Sequence, residues 1–270
     1  MSIKKVITGL VLLMLISSGM VVAADYDKGT KALDSGDYKA ALVEFIPLAE
    51  QGDAYAQGDL GYMYELGYGV LKNYKTAVKW YTLAAEQGDA YSQYNLALKY
   101  DNGEGVLEND KTAVKWYTLA AEQGYSDAQY NMGVMYANGE GVLENDKTAV
   151  KWYTLAAEQG YSDAQYNMGV MYANGEGVLE NDKTAVKWYT LAAEQGNAKA
   201  QTNLGVMYRY GEGVLTDIKR AYMWYNIGSY NGNKNGGENK DNIAKDMTSA
   251  QIDKAQDMSS RCLESGYTDC

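Results

Sequence analysis

TAVKWYTLAAEQG, residues 148–160, occurs four times in this chain, beginning at Thr76, Thr112, Thr148 and Thr184. Successive copies start 36 residues apart. A degraded fifth copy, IKRAYMWYNIGSY, holds the register from Ile218, so Trp80, Trp116, Trp152, Trp188 and Trp224 fall on one beat without an insertion. Residues 125–160 and 161–196 are identical, the mark of a whole unit duplicated. A fixed period of this length belongs to stacked repeats, and that decides the fold.

Working outward, each period reads as two helices. In 125–160 the stretch Ser126 to Asn138 carries Ala128, Met132, Gly133 and Tyr136 on one stripe. Gly139-Glu140-Gly141-Val142 turns the chain, its glycines taking positive φ at little cost. Asn145 stands where an N-cap belongs, as do Asn73, Asn109, Asn181 and Asp217. A second helix to Gln159 aligns Ala149, Tyr153 and Ala156, and Gly160 closes it. One such hairpin cannot bury Trp152 and Tyr153, which together with the entropy of ordering 36 residues requires neighbours on both sides. Units are expected at 53–88, 89–124, 125–160, 161–196 and 197–232.

The ends differ from the middle, as a capped array requires. Residues 25–52 read as a shorter hairpin, with Tyr26, Ala32 and Leu33 facing Ala40, Ala41, Phe45 and Leu48 across the Ser35-Gly36-Asp37 turn. Pro47, the one proline, is expected to kink or loosen the second of these helices. Residues 233–270 are expected to hold a linker and capping helices. NGNKNGGENKDN (231–242) reads as a loop leading to a helix around Asn239–Lys245. Thr248 and Gln251 form a capping box opening a last helix to about Leu263.

Residues 1–24 have the layout of a secretory leader. Lys4 and Lys5 precede an apolar run from Val6, and Val22-Ala23-Ala24 forms a small-residue cleavage site. An uncleaved anchor is the competing reading. The absence of a cysteine after the run argues against a lipid anchor. A periplasmic or secreted chain follows, in which Cys262 and Cys270, the only cysteines, are expected to form one disulfide. Losing Lys4 and Lys5 takes the formal charge from −11 to −13, which argues against nucleic acid as a partner.

Catalytic and metal chemistry finds little support. There is no histidine, which removes Ser-His-Asp and Cys-His systems and every histidine metal site. Glu104, Glu140, Glu176 and Glu212 recur between turn glycines and read as solvated turn residues. The G-E-G turn lacks the lysine and preceding strand of a phosphate loop, and Glu144-Asn145-Asp146 lacks the spacing of a calcium loop. No catalytic residue, cofactor or metal ligand is therefore assigned. Tyrosine is the compositional oddity, at 26 residues against one phenylalanine.

The units resemble Sel1-like repeats, long-looped relatives of tetratricopeptide repeats. The residues carrying the resemblance are A-Q-Y-N-M-G-V-M-Y, G-E-G-V and A-V-K-W-Y-T-L-A-A-E-Q-G, recurring in register from Asp53 to about Tyr230. Ala97 departs from the first-helix glycine and Gly228 from a second-helix alanine. Both are close-packing positions, where local shifts without loss of fold are expected. The resemblance implies an all-α, right-handed superhelix of αα-hairpins with capping helices at both ends, a monomer that binds a protein or peptide.

By the same resemblance the first helices line a concave groove. In the type unit Asp127, Tyr130, Asn131, Val134, Ala137 and Asn138 would face it. The groove candidates are Tyr94, Asn95, Tyr130, Asn131, Tyr166, Asn167 and Asn203, with Lys199 and Arg209 as a basic pair at one end. The asparagines would grip the backbone of an extended peptide, since an amide presents donor and acceptor together. Asp59 breaks that ladder in the first unit. Cysteine-rich relatives of this family are associated with penicillin binding and weak β-lactamase activity. Here the repeats have no cysteine and the chain no suitable S-x-x-K. A spacer with no specific ligand is the remaining alternative.

Overall fold

The computed structural model describes residues 24–270, so the expected leader lies outside the described residues but for Ala24. The capping hairpin is α1 (Tyr26–Asp34) and α2 (Tyr38–Glu50). Five repeat hairpins follow: α3 (Ala54–Leu66) with α4 (Tyr74–Glu86), α5 (Ala90–Asn102) with α6 (Asp110–Glu122), and α7 (Ser126–Asn138) with α8 (Asp146–Glu158). Then come α9 (Ser162–Asn174) with α10 (Asp182–Glu194) and α11 (Ala198–Tyr210) with α12 (Ile218–Tyr230). The chain ends in α13 (Lys234–Ile243), a 3₁₀ turn (Ala244–Asp246) and α14 (Ser249–Glu264). Each helix packs on the next, and first helices also touch across units, α3 with α5 and α9 with α11. This is an αα solenoid.

Local chemistry sets the helix ends. Asn73, Asn109, Asn145 and Asn181 each accept from the backbone N–H three residues on, and Asp217 does so from Lys219 and Arg220. Gly139 closes α7 at φ 73° and Gly160 follows α8 at φ 90°. Gly141 has a second constraint. At φ 67°, an added Cβ would stand 2.6 Å from the Asp110 carbonyl, so the turn rests on the backbone of the previous unit.

Two aromatic residues divide the packing. Tyr153 is buried and lies on Gly133 of the same hairpin, where an added Cβ would come within 2.4 Å of the ring. Tyr81, Tyr189 and Tyr225 lie in the same way on Gly61, Gly169 and Gly205. In the capping hairpin the lone phenylalanine, Phe45, lies on Gly29. In the second unit Ala97 takes the glycine position, fully buried with Tyr117, and the hairpin still forms. Gly228 is also a close approach, 2.5 Å from Thr202 Oγ1 if it carried a Cβ. Trp152 behaves differently. It is only half-buried and packs on the core shared by α6 and α7, so it ties its helix to the preceding unit. Only Trp224 is buried, in a core that Cys262 of α14 completes.

A buried polar ladder runs beside this core. Gln57, Gln93, Gln129, Gln165 and Gln201 each donate to the carbonyl eight residues back, the last from Gln201 to Ala193 at 3.0 Å. The first four accept from Gln87, Gln123, Gln159 and Gln195 at 2.7–2.8 Å. Gln201 accepts from Asn231, which the Tyr267 hydroxyl engages in turn. Tyr267 sits inside the loop closed by the Cys262–Cys270 disulfide, so that bond holds the residue ending the ladder.

Three expectations need correction. The glycine-rich stretch 231–242 is mostly helix. Asn233 caps α13, and Gly236 is there because a Cβ would meet Tyr225 O and Ser229 N, both at 2.9 Å. The helix placed around Asn239–Lys245 thus begins five residues earlier and gives way to the 3₁₀ turn. Pro47 lies inside an unbroken α2 one turn from its end, and the carbonyl it leaves unpaired belongs to exposed Val43. The capping box at Thr248 and Gln251 forms as expected.

The division between tyrosine and tryptophan is testable. Tyr153→Ala is expected to lower stability by about 3–5 kcal/mol, as for other buried aromatics. Trp152→Ala should cost clearly less. Urea unfolding of the two variants measures both, and equal losses would contradict the assignment.

Candidate functional site

The first-helix face gathers the residues expected to bind. Tyr130 and Asn167 line one recess of about 320 Å³ with Val134, Ala137, Tyr153 and Glu176, between α7 and α9. The Tyr130 ring stacks on Tyr161 at 4.9 Å, and Tyr94 lies 5.0 Å from Tyr125. Burial raises the phenols of Tyr94, Tyr130 and Tyr166 above their ordinary value, with Asp127 and Asp163 adding to the first two. They are neutral hydroxyls at any physiological pH.

The asparagines lie beside these hydroxyls. Asn131 meets Tyr94 and Tyr117, Asn167 meets Tyr130 and Tyr153, and Asn203 meets Tyr166 and Tyr189. Each contact favours the ionised phenol without overcoming the effect of burial. Asn131, Asn167 and Asn203 are partly buried. Asn95 is buried and donates to its own helix at Tyr91 O, 2.9 Å away, so it does not continue the row.

Charge changes sign along this face. At equivalent positions the five units carry Glu65, Asp101, Ala137, Ala173 and Arg209. The Tyr81 hydroxyl donates to Glu65 and that of Tyr117 to Asp101, while at the alanine position Tyr153 borders the recess without such a partner. At the far end Lys199 is exposed with its ammonium 5.8 Å from the Tyr166 ring. Arg209 is partly covered, 4.0 Å from Asp246 of the C-terminal cap.

Several features escaped the sequence reading. Lys99 occupies a core position that is methionine in the other four units and is buried. Its ammonium bonds to Glu65 and Glu104 and lies 5.0 Å from the Tyr74 ring. Burial pulls the ammonium down, but the bonds to Glu104 and Glu65 outweigh it and leave it raised. Glu104 is therefore a partly buried ion partner, unlike its solvated counterparts Glu140, Glu176 and Glu212. A second feature is a row of turn leucines, Leu71, Leu107, Leu143, Leu179 and Leu215, each 90–91% exposed. Their 36-residue spacing was the available signal.

Comparison with known proteins agrees with this architecture. The Sel1 repeat model matches residues 54–89, 90–125, 126–161, 162–197 and 198–233. This is a Sel1-repeat protein. It is similar to a Sel1 repeat protein from Oxalobacter formigenes, with 37% identity and a TM-score of 0.75 over 78% of this chain and 87% of that one. It is also similar to c5321, a protective antigen present in uropathogenic Escherichia coli strains that displays an SLR fold. There the identity is 31% and the TM-score 0.75, over 91% of this chain and 57% of that one. The Sel1-repeat chain thus spans little more than half the length of c5321. No curated protein matches. Sel1-repeat proteins generally mediate protein–protein interaction. No helix among the described residues of this Sel1-repeat protein is long and apolar enough to cross a membrane.

Two outcomes follow for this face. Lys99→Met should leave stability unchanged or raise it, because a buried ion cluster rarely outperforms a packed apolar residue. The double change Glu65→Leu/Glu104→Leu strands the ammonium and should cost about 3–5 kcal/mol in urea unfolding. At the other acidic position, burial and then the neighbouring Asp89, Asp34 and Asp53 raise Asp59 to about 6, against a lowering contact from Tyr26. The folded state therefore holds this proton more tightly than the unfolded state. Stability should fall as pH rises from about 4 through 6. Asp59→Asn should remove that component, raising the melting temperature at pH 8 and leaving it nearly unchanged at pH 4. An equal effect at both pH values would refute it.

Proposed function

We propose that this protein is a non-enzymatic binding scaffold of the cell envelope that holds an extended polypeptide segment along its first-helix face. The observation that carries the reading is the recess between α7 and α9, where Tyr130 and Asn167 converge beside Tyr153. A tyrosine wall offers a large, stiff contact area, and an amide beside it presents donor and acceptor together to a peptide group. The groove comprises Tyr94, Tyr130, Tyr166, Asn131, Asn167 and Asn203, with Asn95 only as packing. Asp59 and Asp101 at one end and Lys199 and Arg209 at the other give a bound segment a preferred direction. Residues 1–24 and the Cys262–Cys270 disulfide support export, to the periplasm or beyond.

The identical units 125–160 and 161–196 favour a second reading, a spacer lengthened by duplication without a ligand. Photo-cross-linking in cells separates the two. A photoreactive residue at Tyr166 should yield a discrete adduct, absent when the probe sits at exposed Lys187 of α10. Asn131→Ala/Asn167→Ala should weaken the recovered interaction. No adduct from Tyr94, Tyr130 or Tyr166 would establish the spacer.

A further inference from the structure

The first two repeats depart from the other copies at three neighbouring positions. Gly58 stands where later units have Tyr94, Tyr130 and Tyr166. Asp59 stands where they have asparagine. Ser92, in the second unit, stands where the others have Ala56, Ala128, Ala164 and Ala200. The three meet in space. A Cβ on Gly58 would lie 2.8 Å from Ser92 Oγ, so the serine hydroxyl packs against the bare glycine backbone.

The result is a pocket of about 310 Å³ lined by Tyr26, Tyr55, Gly58, Asp59, Asp89 and Tyr91. Tyr26 and Tyr55 form one wall, their rings 6.1 Å apart at 50°. Two polar atoms here are withdrawn from solvent without a hydrogen-bond partner, Asp59 Oδ2 and the hydroxyl oxygen of Ser92, a residue with no exposed surface. An unsatisfied carboxylate oxygen is costly, and a site that tolerates one is incomplete without a donor. Asp89 adds a second carboxylate, of which one oxygen accepts from Ser92 N at 2.8 Å.

We infer that this pocket receives the basic side chain, lysine or arginine, of the polypeptide held along the first-helix face. Carboxylates supply the charge, aromatic faces attract a cation, and the unpaired oxygen of Asp59 accepts its N–H groups. The inference rests on the groove reading and deepens it. A basic anchor at this end matches the sign change toward Lys199 and Arg209, so the segment would run from a basic residue here to acidic residues there. The raised Asp59 carboxyl fits a group awaiting a counter-charge. Its surroundings, Tyr26, Tyr55, Tyr91, Asp34, Asp53 and Asp89, supply no cation.

The test is a titration of the ¹⁵N-labelled protein with Nα-acetyl-arginine amide and Nα-acetyl-lysine amide, followed by amide NMR shifts. At least one should give saturable shifts centred on Gly58, Asp59, Asp89 and Tyr91, with a dissociation constant near 1 mM, as suits a single side chain. Nα-acetyl-citrulline amide, which keeps the arginine shape without the charge, should give none. Asp59→Asn should weaken binding about tenfold. Gly58→Tyr/Ser92→Ala, which restores the residues of units three and four, should fold and abolish it. The inference fails if the citrulline compound binds equally, if the double variant still binds, or if shifts spread evenly over the acidic surface. It fails too if neither cation shifts these amides. A cross-link from Tyr166 alongside any of those results would leave the groove standing, since that probe lies three units away.

Discussion

The fold depends first on an aromatic ring packed tightly on the first-helix backbone, bare glycine in every hairpin but the second repeat, where Ala97 stands. In the type hairpin Tyr153 takes the space that a Cβ at Gly133 would fill. The contact sets how closely first and second helix approach, and hence the thickness of each unit. The capping hairpin obeys the same rule with Phe45 on Gly29, although its turn is four residues shorter than in the repeats. Loop length thus varies while the close ring-on-glycine approach is kept wherever the glycine is present. The turn is free to be elaborated because the hairpin angle is fixed elsewhere.

Stacking is a separate problem, handled by different residues. The half-buried tryptophans clamp each second helix to the unit before it, and the glutamine ladder joins each first helix to carbonyls and amides on either side. A buried amide without partners would cost about 1–3 kcal/mol, so the ladder penalises any mis-stacked arrangement more than it rewards the correct one. It also needs an end. Asn231 and Tyr267 provide it, and the disulfide keeps Tyr267 in place. The C-terminal tail closes a polar chain as well as an apolar face.

The helices and their ends were legible because they depend on residues close in sequence. The period, the asparagine caps and the closing glycines are all read within one unit, and the hairpins fall where these signals put them. What could not be read depends on other units. Gly236 looks like a turn residue and is a packing residue, because Tyr225 and Ser229 of α12 approach it. Lys99 looks like a surface lysine unless its register with four methionines is noticed, and its partner Glu65 lies 34 residues away. Trp152 and Tyr153 are adjacent in sequence and equally apolar, yet one packs between units and the other within. For the candidate site, Tyr130 and Asn167 meet in one recess, whereas Asn95 turns back on its own helix.

A repeat array also carries its own internal control. Where the copies agree, a residue serves what all units share, which is folding and stacking. Where one copy departs, the shared requirement has been relaxed and something specific to that place can be sought. The departures here are not scattered. At one first-helix position the leading units carry Glu65 and Asp101, the duplicated middle units alanine and the last unit Arg209. An array serving only as a spacer has no reason to grade its charge along one face. A face that must fix the direction of an extended, polar ligand does, because hydrogen bonds to a peptide backbone are nearly symmetric and charge at the two ends is not.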